Sequence, residues 1–297
     1  MTIFKSTVVG NVVADEDIMD IAVSPDSFEA CVCDTSGGVW IWELGSHKVV
    51  WNTRLPEVVT SIDYSPDGKL IATAHQDGSV AVRNRSTLNS LQVYSPHSSW
   101  ISRLRYSPID SMLIATVGGS ANGAQHFGET VIWNCRSGDC LRPMDLASNR
   151  TTAIAWSPDG KLIATGGWDH RVRAWSSLSN HAFLDKQMDW SVYGLEFASN
   201  CSILWIGDHS GQVEKLHLDS SKVLCARQTG SVVGTIIDFE NEVLVSTASK
   251  GLFLLKSADL STIRHIERRG PCVQARRVNM SRTVLFADGS TLLRTTV

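Results

Sequence analysis

The chain has little of what the specialised classes of protein require. No run of about 18 consecutive apolar residues occurs along its 297 residues, so no membrane-spanning helix is read from it. The opening MTIFKSTVVGNVVADEDIMD lacks a basic stretch followed by a long apolar one, the pattern of a secretory signal. Charge of one sign is also missing. With 27 Lys and Arg against 30 Asp and Glu, the formal net charge of −3 gives no global pull toward nucleic acid or anionic lipid. The seven cysteines (Cys31, Cys33, Cys135, Cys140, Cys201, Cys225, Cys272) are odd in number, and several stand in apolar runs, where a reduced thiol acts as a small hydrophobe. Neither Cys31 with Cys33 nor Cys135 with Cys140 is matched by a second pair at zinc-ligand spacing. These absences set the expectation of an intracellular protein, cytoplasmic with the nucleus as the alternative, with no metal and no cofactor.

What remains is ordinary globular material, 43% hydrophobic and 19% charged, enough for a sizeable core in one large β domain or two smaller ones. Pattern decides between them. Four segments, IAVSPD, IDYSPDG, LRYSPID and IAWSPDG, place Ser24, Ser65, Ser107 and Ser157 at spacings of 41, 42 and 50 residues. Each reads as a strand, a Pro/Asp/Gly turn and a second strand such as LIATA or LIATG. A tight turn and a third strand follow, as GGVWIW, GSVAVR, GETVIW and HRVRAW. Three more worn units follow, YGLEFASNCSILWIGDHSGQVEKL, GTIIDFENEVLVSTASKGLFLL and ARRVNMSRTVLFADGSTLL, making seven.

Fourth strands are expected around Val49–Trp51, Leu91–Val93, His181–Leu184, Val223–Cys225 and Thr262–Ile266. The last unit ends after three strands, and the stretch Thr2–Val9 has no unit of its own. The expectation is an all-β single domain over residues 1–297: a seven-bladed propeller whose N-terminal strand pairs with the last blade.

The repeat resembles the WD40 family, which carries Ser-Pro-Asp-Gly after the first strand of a blade and Trp-Asp at the end of the third. The likeness spans almost the whole chain, strongest in the first four units. Trp42, Trp133 and Trp175 meet the family's tryptophan, whereas Arg83 and Leu216 replace it, and Glu43, Asn84, Asn134 and Ser176 stand for its aspartate. The family's Gly-His survives only as Pro96-His97, so its buried His–Ser/Thr–Asp–Trp hydrogen-bond network is expected to be incomplete in every blade.

The resemblance implies a top face lined by two rings of positions. One ring precedes each first strand, at Asp17, Val58, Trp100, Arg150 and Ser191; the other follows each second strand, at Thr35, Gln76, Trp168 and His209. In TGGWDHRVRAW, Asp169 is expected to cap its own turn and His170 to occupy a place usually held by glycine. Trp168, beside them, falls on the rim. Trp and Arg dominate binding hot spots, so Trp168, Trp100 and Arg150 are the expected anchors, with Gln76, His209 and Asp17 around them.

The 50-residue spacing places an eight-residue insertion within Val117–Thr130, with His126 and Phe127 as its contact residues. It is glycine-rich but has no Gly-Lys-Ser/Thr ending to cradle a nucleotide phosphate. The expected function is a non-catalytic scaffold that binds one or more proteins or peptides in a multiprotein complex. The alternative is a phosphoinositide-binding propeller, since Arg268-Arg269-Gly270 in IRHIERRGPCVQARR is similar to the Arg-Arg-Gly of that class. There Glu267 stands in place of the expected aromatic residue. Membrane contact would run through that basic segment alone. No paired-carboxylate or Ser-His-Asp spacing stands out, which ranks an enzyme third.

Overall fold

In the computed structural model, residues 7–13, 16–46, 48–120, 126–143, 147–179, 181–266, 274–278, 282–288 and 291–296 are described. They form seven four-stranded antiparallel sheets arranged as blades. The inner strands are Ile18–Val23, Val59–Tyr64, Ile101–Tyr106, Thr151–Trp156, Val192–Phe197, Val233–Asp238 and Ala275–Arg277. Each lies against the next around a ring, and that of blade 7 meets that of blade 1. Blade 7 has the order Thr7–Val13, Thr291–Thr296, Thr283–Asp288, Ala275–Arg277. Residues 2–6 of the expected N-terminal strand lie outside the described residues.

The repeated turn has a physical cause. In blade 2 the Ser65 hydroxyl donates to Asp67 Oδ1 at 2.7 Å and accepts from Leu70 N at 2.9 Å, while Gly68 takes φ 69°. Ser157, Asp159 and Gly160 repeat the device in blade 4. In blade 1 Ser27 holds the same left-handed conformation at φ 58° without being glycine.

Burial follows position in the blade. Second strands such as Leu70–His75 and Leu162–Gly167 are buried at every residue after the first, because both of their faces are covered by neighbouring blades. Outer strands such as Lys48–Arg54 and Lys222–Gln228 alternate exposed with half-buried residues. Each junction between neighbouring blades holds its own apolar core. Trp42, Trp133 and Trp175 fill the junctions with the preceding blades, each burying the large apolar area that makes tryptophan a strong packing residue.

Two strand expectations shift. The outer strand of blade 4 is Leu184–Gln187 rather than 181–184, because a turn tied by Ser179 to His181 precedes it and pairing begins at Ala174–Leu184. Blade 3 acquires the outer strand Cys140–Pro143, which sequence had not located. The expected insertion is partly spent on lengthening the hairpin of blade 3, whose strands Leu113–Ser120 and Phe127–Asn134 pair as far as Ser120–Phe127.

Candidate functional site

One backbone hydrogen bond recurs at the top of blades 1 to 6 and brings the two expected rings together. The residue after the second strand, or in blade 3 the strand's own Gly119, donates its N–H to the carbonyl of the residue before the first: Thr35 to Asp17, Gln76 to Val58, Gly119 to Trp100, Trp168 to Arg150, His209 to Ser191, and Ala248 to Val232. Directly below it the pairing of first and second strands slips by one residue in each of these blades. Such a bulge breaks the alternation and re-aims one side chain. In blades 3 and 5 the residues at the slip are Ser102 and Tyr193.

These devices build a cluster across blades 3 to 5. The Arg150 guanidinium lies 4.3 Å from the Trp100 ring centroid and 5.8 Å from that of Trp168, within cation–π range of both. Its Nε donates to the Ser102 hydroxyl at 3.0 Å. Burial pulls the guanidinium below its ordinary pKa. Trp100, Arg150, Trp168 and Gln76 line one depression of about 410 Å³, together with Asp77, Ser98 and Ser120 among others. Beside it, Tyr193 and Trp190 flank His209 at ring distances of 5.8 and 6.5 Å, and Trp190 is 51% exposed.

Four of the expected site residues thus share one cavity, and His209 joins an adjoining aromatic group. Asp17 is exposed on blade 1 and lines no part of this depression. The lengthened hairpin ends at exposed His126 and half-buried Phe127, neither of which lines it. That hairpin leans on blade 4 through Gly128, which pairs with Ala147. Arg268 and Arg269 lie outside the described residues.

Sequence reading missed Ser102, Tyr193 and Trp190. Ser102 and Tyr193 carry no signal, because the slip moves them off the alternation that would have marked them as facing the mouth. Trp190 had one: a large aromatic residue just ahead of a first strand.

Asp169 caps its turn, accepting from Arg171 N at 3.2 Å, and also holds Arg173 in a buried ion pair at 2.6 Å. His170 takes φ 59° in the glycine place. The His97 ring meets Thr116 Oγ1 at 2.8 Å and Glu129 Oε2 at 2.9 Å, but the indole nitrogens of Trp42, Trp133 and Trp175 have no hydrogen-bond partner among the described residues. The family's network therefore stops short of its tryptophan. Cys31 and Cys33 are fully buried, and burial pushes both thiols above their ordinary pKa. Among the described residues no three His, Cys, Asp or Glu side chains are grouped to hold a metal ion, and no helix is long and apolar enough to cross a membrane.

Comparison with known proteins agrees with this architecture. Residues 138–176 match the model of the WD domain, G-beta repeat, and residues 30–108 that of the anaphase-promoting complex subunit 4 WD40 domain. A guanine nucleotide-binding protein subunit beta of Arabidopsis thaliana is 24% identical over 54% of the chain and 44% of its own length. Actin-interacting protein 1-2 of the same organism is 29% identical over 64% of the chain and 30% of its length. Echinoderm microtubule-associated protein-like 4 of Mus musculus is 24% identical over 60% and 18%. In each case less than half of the relative's length is matched.

Proposed function

The chain belongs to the WD40-repeat propellers, and from that premise we propose that it is a non-catalytic platform holding a protein or peptide partner on its top face within a multiprotein assembly inside the cell. The observation that carries this reading is the Trp100–Arg150–Trp168 stack at the wall of the top depression. Two half-buried indoles and a guanidinium are the side chains that dominate hot spots, and they stand on a rigid rim. A partner meeting preorganised groups loses little free energy in ordering them. The relatives support the reading by their names: one is a subunit of a guanine nucleotide-binding protein, one interacts with actin and one associates with microtubules.

The test is affinity capture of partners by the chain and by the variant combining Trp168→Ala with Arg150→Ala. We expect a partner retained by the wild type to be lost from the variant, at a cost of about 2 kcal/mol or more in binding. Undiminished retention would sink the top-face reading.

A further inference from the structure

Arginines that face a protein interior are ordinarily paired, since an uncompensated buried cation is costly. The central channel obeys this rule around Asp20, a fully buried carboxylate that holds Arg105 at 2.9 Å and Arg276 at 3.1 Å. Two neighbouring arginines depart from it. Arg103 lines the channel, and Arg150 lines the depression at the top. Neither makes an ion pair with any carboxylate among the described residues.

Both are anchored on one residue. Arg103 Nη1 donates to the Ser102 carbonyl at 3.0 Å, and Arg150 Nε donates to the Ser102 hydroxyl at 3.0 Å. Burial pulls both guanidinium groups below their ordinary pKa; at Arg103 the Asp20 carboxylate opposes that pull, while Arg105 and, to a smaller degree, Arg150 add to it. Two like charges are thus tied to one residue where solvation is reduced, and Asp20 offsets that of Arg103 alone. Asp77, the carboxylate in the lining of the depression, accepts from Ser79 N at 2.8 Å through one oxygen and, among the described residues, makes no ion pair with either arginine.

We propose that this pair is the recognition point for an acidic side chain: the top face takes an extended peptide segment whose Asp or Glu carboxylate docks on Arg150, beside Arg103, between the Trp100 and Trp168 rings. The proposal rests on the top-face reading above and names its partner's chemistry. With Nε committed to Ser102, Arg150 offers the pair of Nη groups as a planar fork, which fits one carboxylate in a bidentate pair. The flanking indoles exclude water from that pair, and removing water strengthens it.

The experiment selects linear peptides from a random display library on the immobilised full chain. Synthetic versions are then measured by fluorescence anisotropy. We expect the selected peptides to share Asp or Glu at one position, and replacing it by the amide to weaken binding about tenfold or more, the loss for a charge-assisted hydrogen bond. Arg150→Gln should lose as much, and the amide peptide should lose nothing further on that variant, because one interaction has been removed from either side. An equal loss from the amide on wild type and Arg150→Gln overturns the assignment, as does a preference for phosphoserine over glutamate at that position. Arg103→Lys, which keeps the charge, should retain the acidic preference, and its loss there with an unchanged thermal midpoint counts against the paired site. Peptides that are lost on Trp168→Ala but show no acidic preference sink this proposal alone. A selection whose peptides ignore both Trp168→Ala and Arg150→Gln, or that yields none, sinks the top-face reading with it.

Discussion

His170 holds a left-handed backbone at φ 59°, where the equivalent turns of blades 1, 2 and 5 use Gly37, Gly78 and Gly211. A residue with a Cβ is strained there by about 1–2 kcal/mol, part of which glycine gives back through its freer unfolded chain. The imidazole makes no hydrogen bond among the described residues that would offset the strain, although the backbone carbonyl accepts from Met188 N at 2.7 Å. His170→Gly should therefore raise the stability of the protein by about 0.5–1 kcal/mol, read as a higher denaturation midpoint. Partner retention should not change, because the ring takes no part in the Trp100–Arg150–Trp168 stack. A drop in midpoint would show that the side chain, rather than the backbone, decides this turn.

At the scale of elements, the lengthened hairpin of blade 3 braces the segment that carries Arg150. A Cβ on Gly128 would stand 2.3 Å from Asn149 O and 2.6 Å from Thr151 Oγ1, so the hairpin approaches blade 4 as closely as only glycine permits. Gly128→Ala should force the two apart, with a loss of about 1–3 kcal/mol in chemical denaturation and weaker partner retention. Gly45→Ala, with nothing within 4 Å of the added carbon, is the control and should be near neutral.

This bracing was only half legible in the sequence. The 50-residue spacing located the extra residues, and the Ser-Pro-Asp-Gly turns located the strands around them, because both signals are local. The pairing of Gly128 with Ala147 depends on two segments meeting, as does the contact between Ser102 and Arg150. The short outer strand Cys140–Pro143 was missed for another reason: only its inner face has to pack, so its composition is loosely constrained.

At the scale of the whole molecule, a cavity of about 380 Å³ is lined by the inner strands of blades 3 to 7, and blades far apart in sequence place their charges together there. Asp20 of blade 1 joins blades 2, 3 and 7 at once, through Ser61 at 2.6 Å, Arg105 and Arg276. Glu196 of blade 5 lines the cavity and, among the described residues, has no such clasp. Burial, and then the neighbouring Asp238, push its carboxyl from the ordinary 4.5 up to about 8, against the opposing pull of Arg105 and Arg277. Asp63, half-buried near Arg105, is raised by desolvation to about 6.

A carboxyl whose pKa is higher in the folded state holds its proton where the unfolded chain has already released it. Between about pH 4.5 and 8 the folded state then binds more protons than the unfolded one, and stability falls as pH rises through that window. Glu196→Gln removes the titration while keeping the shape. The variant should gain on the wild type steadily from pH 5 to pH 8, by on the order of 1 kcal/mol or more at the upper end. Denaturation midpoints of both proteins across that range provide the measurement. A gap that stays constant with pH would mean that Glu196 is ionised throughout and that the channel arginines hold it as tightly as Arg105 and Arg276 hold Asp20.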